Sequence, residues 1–441
     1  MNKLLDVEQP TRVRYWVLGW LCTLSMITYI DRVCIMQVQD DMKRDLGLTT
    51  DQFSYAFSAF ALAYAAFEVP TGWLGDRIGP RKVLTRIMLC WLGFTALTGA
   101  VWNWTSLIVV RFLFGAGEAG AYPNIARASK NWFSYRQRGL AQGLIWTFGR
   151  WGGAMAPVLI GLLALPWGWR GAFVLLGLIG LVWVIFFRLR FRDTPQEHDA
   201  VNDTERALIA GPAPASAPAP LSWRSVLTSP TLWCLSFMYF CSNSGWSFFI
   251  TWVALYVKRD LGMSGIAGDL ASGAPLFLGG IGCLLGGPLT DRAVRVLGPR
   301  WGRTLQGFIA YFLGATLFLA GGLITDSLPV LAFWSICFAS FFKDFAMAAS
   351  WSTTLDIGHR YSGTVAGLMN TVGNLGTVVT PPIVAQIVKR LGEDNKFGIS
   401  LYYYAAMFII ASLTWLFINP RRVIVYAPAD RERLEAEGVL S

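Results

Sequence analysis

Charge is scarce in this chain, and so are the residues that usually carry catalysis. Only 15% of its 441 residues are Asp, Glu, Lys or Arg. A soluble domain carries about 25%, so these side chains could not cover a water-facing surface. There are two histidines, and the seven cysteines (Cys22, Cys34, Cys90, Cys234, Cys241, Cys283 and Cys337) stand singly inside apolar runs. Without paired spacing they offer no zinc or redox site. No nucleophile–base pair, metal cluster or phosphate loop is visible, so an enzyme is not expected, nor a cofactor or metal. The net charge of +10 would suit nucleic acid, but the basic residues sit in short loops rather than on one folded face, which excludes that partner. A cleavable signal is not expected either, because the first residues are short and polar and no small-residue cleavage site follows the first apolar run.

What the chain has in excess is apolar length. Hydrophobic residues make up 54%, with 20 Trp and 45 Gly; Trp collects at membrane interfaces and Gly lets spanning helices approach closely. A spanning helix needs ~20 largely apolar residues. Twelve runs qualify: 14–38, 51–74, 83–102, 106–129, 139–163, 170–190, 229–257, 269–290, 303–324, 330–353, 363–388 and 399–418. The expected fold is therefore an all-α membrane protein of twelve transmembrane helices in a lipid bilayer. Most of the 37 Lys and Arg fall on the side that holds both termini, which the positive-inside rule makes cytoplasmic. This places the chain as a multi-pass protein of the cell (inner or plasma) membrane. The longest connection, 191–228, contains a Pro/Ala stretch over 211–220 that reads as a stiff linker. It divides the chain into a six-helix bundle (1–190), a cytoplasmic linker (191–228), a second bundle (229–418) and a cytoplasmic tail (419–441).

The two bundles repeat one another. Gly139, Gly143, Leu144, Thr147, Gly149, Gly152 and Pro157 of the fifth run match Gly363, Gly367, Leu368, Thr371, Gly373, Gly376 and Pro381 of the eleventh, at one separation of 224 residues. A parallel six-helix repeat is the mark of two bundles that rock about a central site.

After the second run comes Gly72-Trp-Leu-Gly-Asp76-Arg77-Ile-Gly79-Pro-Arg81-Lys82, and after the eighth Gly287-Pro-Leu-Thr-Asp291-Arg292. The glycines allow a tight turn and close helix approach, and Asp76 near a helix end can pair with basic groups next door and latch one state. The pattern resembles the cytoplasmic loop signature of the major facilitator superfamily, complete in the first half and interrupted in the second. Thr28-Tyr29-Ile-Asp31-Arg32, Arg111 through Pro123, and Ser362 through Asn374 are similar to the anion:cation symporters of that superfamily, the sugar-acid permeases and sialin or vesicular glutamate type carriers. The resemblance spans essentially the whole chain. It implies a major facilitator fold of two pseudo-symmetric bundles and proton-coupled uptake of an organic anion by alternating access.

Each charged side chain at the centre of a spanning helix costs ~2.5–3.5 kcal/mol on insertion scales. Eight are expected there: Asp31, Arg32, Glu68, Arg111, Glu118, Arg150, Lys343 and Asp344. Four are positive and four negative, which suggests internal pairing around a cavity. Helix rise puts Asp31, Arg32 and Arg111 in an outer layer, with Glu118, Arg150, Lys343 and Asp344 near the midplane. A neutral set gains an unpaired charge when an anion enters and is neutral again if a carboxyl takes a proton, so anion and proton favour each other. Glu118 is the first candidate proton carrier and Asp31 the second, since burial opposes ionisation. His198 and His359 fall in loops, outside such a relay.

For the anion, guanidinium forks suit carboxylates. Family resemblance makes Arg32 the main carboxylate contact, pairs Arg111 near Glu118, and puts Tyr64 against substrate. Arg150 departs from the sugar-acid pattern; it is either a second anion contact or a partner for Glu118. Lys343, Asp344 and Glu68 are expected to be structural. Tyr29, Asn243, Trp246, Trp252, Trp351, Asn370 and Asn374 are candidates for the remaining wall. The chain is expected to act as a monomer, with a small organic anion and protons as partners. An organophosphate antiporter, usually built on an arginine from each half, and a non-transporting membrane sensor are the alternatives.

Overall fold

The computed structural model describes residues 9–209, 221–263, 265–391 and 398–424. The expected Pro/Ala stretch over 211–220, and the tail beyond 424, lie outside the described residues.

Those residues form α-helices with short helical turns and no strand. The first half holds α1 (Val13–Gln37), a short α2 (Gln39–Leu46), α3 (Thr50–Ile78), α4 (Pro80–Thr98), α5 (Trp104–Glu118), α6 (Ala121–Trp132) and α7 (Arg138–Arg190). Two small helices, α8 (Asp203–Ile209) and α9 (Trp223–Leu227), lie in the connection. The second half holds α10 (Pro230–Ser247), α11 (Val253–Arg259), α12 (Gly265–Ile324), α13 (Pro329–Phe345), α14 (Met347–Gly358), α15 (Ser362–Leu391) and α16 (Leu401–Trp415).

Each apolar run falls on helix, with two kinds of departure. The fifth and sixth runs share α7, which folds back at Gly168 (φ 63), and the eighth and ninth share α12, which folds back at Gly298 (φ 76). A positive φ in mid-chain is cheap only for glycine. The other departure is interruption. The fourth run breaks into α5 and α6 at Ala119 and Gly120, the tenth into α13 and α14 at Ala346, and the seventh contains a π turn over Phe248–Trp252. Glu118 and Asp344 thus stand just before the breaks at matching places in the two halves. Five helical stretches among the described residues qualify as spans on length and composition alone, and two of them, Leu270–Ile324 and Pro329–Leu391, each hold two of the apolar runs.

Outward faces are apolar: Leu178, Val182, Ile185, Phe186 and Leu189 on α7 are each more than half exposed. Inside the first half α1 and α4 pack on α7 and α3 on α5; inside the second, α12 packs on α13 and α10 on α15. The halves meet chiefly through α7 on α12 and α3 on α15, which are the same pair of elements exchanged by the repeat.

Candidate functional site

Helix α1 carries Tyr29, Asp31 and Arg32 toward the end of α5, where the chain breaks immediately after Glu118. Arg32 donates from Nε and Nη2 to one oxygen of Glu118, at 3.1 and 2.5 Å. Its guanidinium lies 4.8 Å from the ring centre of Tyr64, with Phe60 and Tyr29 beside it. The two partners differ in access: the Arg32 side chain is 27% exposed and that of Glu118 0%. Glu118 Oε2 and Asp31 Oδ2 are buried with no protein partner.

This pairing differs from the expected one. Arg111 lies within electrostatic reach of Glu118, yet its guanidinium packs 4.5 Å from the Phe114 ring and 4.9 Å from Phe60. Hydrogen bonds to Glu118 come from Arg32. The long arginine side chain spans the axial gap that separated an outer from a midplane layer, so those layers merge here.

Of the two readings of Arg150, the pairing with Glu118 is corrected. Its partner is Asp344 of the other half, gripped through Nε at 2.6 Å and Nη2 at 2.9 Å, and Lys343 adds a third bond to Asp344 at 2.8 Å. Arg150 also donates to the Tyr29 hydroxyl, and its guanidinium lies 3.8 Å from the Trp246 ring centre. Arg150, Lys343 and Asp344 are all buried. Glu118 is bonded by Arg32 instead.

Glu68, expected to be structural, reaches across to the other half. Asn370 and Asn374 of α15 donate to its two oxygens, at 2.5 and 3.3 Å. These asparagines, read as cavity wall, are therefore engaged with a carboxylate. Tyr122 and Trp146 stack at 4.3 Å, and Trp351 lies 5.2 Å from Trp146 and donates to Tyr239 at 3.1 Å. Trp252 sits partly buried at the end of the π turn.

At the face that carries the described chain ends, the halves are closed by two equivalent latches. Asp76 accepts from the backbone N–H groups of Gly363 (2.9 Å) and Thr364 (2.7 Å), which begin α15. Asp291 accepts from those of Gly139 and Leu140, both at 2.8 Å, which begin α7. A helix N-terminus offers unsatisfied N–H groups and a partial positive charge, so a carboxylate is a fitting cap. Glycines make the approach possible: a methyl on Gly72 would stand 2.5 Å from the Gly363 carbonyl oxygen, and one on Gly287 2.6 Å from that of Gly139.

The rest of the loop motif has separate duties. Gly79 turns the chain at φ 92 between α3 and α4. Arg81 donates its backbone N–H to Asp193 at 2.6 Å and a guanidinium nitrogen to the Arg188 carbonyl. Burial pushes Asp193 above its ordinary range. Arg77 lies over Trp73, while Lys82 and Arg292 are exposed. The basic partner of Asp76 is Arg127, at 3.4 Å. Sequence reasoning missed Asp356, which joins Arg138 of the first half to Arg303 of the second, each at 2.7 Å. A lone acid closing the tenth apolar run was its only signal.

Residues 21–381 match the Major Facilitator Superfamily. A probable sulfoacetate transporter of Cupriavidus necator, SauU, is 35% identical over 94% of this chain and 96% of its own length. A probable galactarate/D-glucarate transporter of Escherichia coli, GarP, is 28% identical over the same shares. Among solved structures, the proton:xylose symporter XylE bound to 6-bromo-6-deoxy-D-glucose superposes with a TM-score of 0.74 at 13% identity, covering 92% of this chain and 96% of that one. That likeness concerns the fold alone.

Proposed function

This chain belongs to the Major Facilitator Superfamily, and from that premise we propose that it takes up a small organic anion together with protons, by alternating access, as a monomer in the cell membrane with both termini in the cytoplasm. It is a transporter of organic anions by kinship, not an enzyme.

One observation carries the coupling: Arg32 is at once a partly exposed cation and the hydrogen-bonding partner of a fully buried acid. An anion that draws Arg32 away leaves Glu118 with an uncompensated charge at 0% exposure. Isolating a carboxylate in that way is costly, and a proton on Glu118 removes the cost. The partnerless Oε2 is the oxygen open to receive it. Arg111 and Asp31 complete a set of two cations and two acids that is neutral before the anion arrives. Tyr64 and Tyr29, stacked on Arg32, shape its approach.

The substrate we favour is a short sulfonated or carboxylated acid with few hydroxyls. A hexarate needs several amides or hydroxyls to meet its own, and Asn370 and Asn374 already serve Glu68. The 35% identical sulfoacetate transporter agrees in chemistry, while the 28% identical aldarate transporter marks the competing substrate class.

The test is uptake into proteoliposomes under an imposed pH gradient, with short sulfonates, short dicarboxylates and aldarates compared. Acid outside should drive accumulation of a short acid. Glu118→Gln should lose uphill accumulation yet keep exchange of pre-loaded substrate, and Arg32→Ala should lose binding. Accumulation indifferent to the gradient, or full affinity in Arg32→Ala, overturns the reading.

A further inference from the structure

We propose that Glu68 is a second proton site, distinct from the Arg32–Glu118 pair, and that its ionisation holds the cytoplasmic side of the two halves closed. The inference rests on the transport reading above and adds to it the group through which a proton reaches the gate.

Two polar bridges cross between the halves, and the repeat relates the side chains that receive the acids, although the acids themselves stand on helices it does not exchange, α13 and α3. Arg150 and Asn374 occupy the same place in the fifth and eleventh runs, 224 residues apart. Each receives a carboxylate from the opposite half: Arg150 that of Asp344, Asn374 that of Glu68. The surroundings then diverge. Asp344 is gripped by two cations, Arg150 and Lys343, and its charge is fixed by them. Glu68 is 0% exposed, and its bonded partners from the other half are the neutral amides of Asn370 and Asn374. Among the described residues no ion pair holds it. The other ionisable groups facing it are Arg32 from α1, Glu118 from α5, and Tyr64 one turn earlier on its own helix; Arg32 is committed to Glu118 or to the anion.

A carboxylate accepting an N–H on each oxygen makes charge-assisted bonds, roughly twice as strong as neutral ones. Ionised Glu68 therefore ties α3 to α15. A proton added to one oxygen sets an O–H against an amide N–H, so one asparagine must turn over or let go. No covalent bond breaks and no other reactant is needed. The weakened contact lies on the same two helices as the Gly72–Gly363 approach and the Asp76 cap, ~12 Å away along α3 by helix rise. Protonation of Glu68 thus loosens the α3–α15 seam and favours opening to the cytoplasm, while Asp344, held by two cations, keeps its contact with Arg150. One seam is a hinge and the other a switch.

The experiment needs no substrate. The full-length protein, with Cys90 replaced and spin labels at Ile78→Cys and Arg360→Cys, which flank the α3–α15 contact, is placed in lipid nanodiscs, and the distance between labels is read at acid and alkaline pH. Wild type should gain a separated population on acidification. Glu68→Gln, which has the shape of the protonated acid, should show that population raised about tenfold at alkaline pH, with the pH response flattened. Asn370→Ala/Asn374→Ala, which leaves the acid and its Tyr64 contact in place but removes its donors from the other half, should flatten it too and serves if Glu68→Gln fails to fold. A wild-type pH response in either variant overturns the proposal. Failure to transport any organic acid, with the distance response intact, would instead sink the substrate reading alone.

Discussion

Asp344 answers to two cations, whereas Arg150 answers to one acid that Lys343 also holds. Asp344→Asn leaves two buried positive charges unneutralised, while Arg150→Gln leaves a carboxylate that keeps Lys343. Breaking a buried pair costs about 3–5 kcal/mol, so Asp344→Asn should lower the midpoint of thermal unfolding in detergent by more than Arg150→Gln does. The reverse order would mean that Arg150 has a second acidic partner. Which residues would form this network was legible in the sequence, because charge in an apolar helix is expensive and therefore marks itself. Their pairing was not. Arg150 and Asp344 are 194 residues apart, and an arginine reaches far enough to take any of several acids, so helix rise alone cannot choose among them. The partners of Glu68 were hidden for the same reason: its place on α3 says nothing of what α15 presents to it.

At the scale of helices, the closed face depends on two N-termini capped by acids from the opposite half. Asp76→Asn keeps the shape of the cap and loses its charge. A cap of this kind is worth about 1–2 kcal/mol, so amide exchange at the start of α15 should rise roughly tenfold while the start of α7, capped by Asp291, changes less. Gly72→Ala acts differently. Its methyl would meet the Gly363 carbonyl oxygen, so the seam cannot close and exchange should rise on both helices at once. If exchange in Gly72→Ala matches wild type, the closed face is not the resting arrangement. The repeat in the sequence foretold that α7 and α15 are equivalent. It did not foretell that each is capped by the other half, since a motif read in one loop does not name the helix end it will face.

For the whole molecule, the connection between the halves is tied back to the first residues of α1. Glu205 accepts from the Thr11 hydroxyl at 2.7 Å, from the backbone N–H of Val13 at 2.9 Å and of Arg14 at 3.2 Å, and from the Arg14 guanidinium at 2.9 Å. Burial raises its pKa, but these donors outweigh burial and hold Glu205 below its ordinary 4.5. A depressed carboxyl contributes its full stability above the ordinary value and loses it as pH falls through the folded one. Proteolysis at α8 should therefore accelerate in acid, and Glu205→Gln should show that acceleration already at neutral pH; cleavage independent of pH in wild type would refute the tether. The sequence by itself determined the apolar segments, the two-fold repeat, the family and the set of buried charges, because each is written in local composition and spacing that lipid enforces. Only the tertiary structure decided which acid meets which cation, where helices break, and which bonds cross between the halves, because those depend on contacts between segments far apart in the chain.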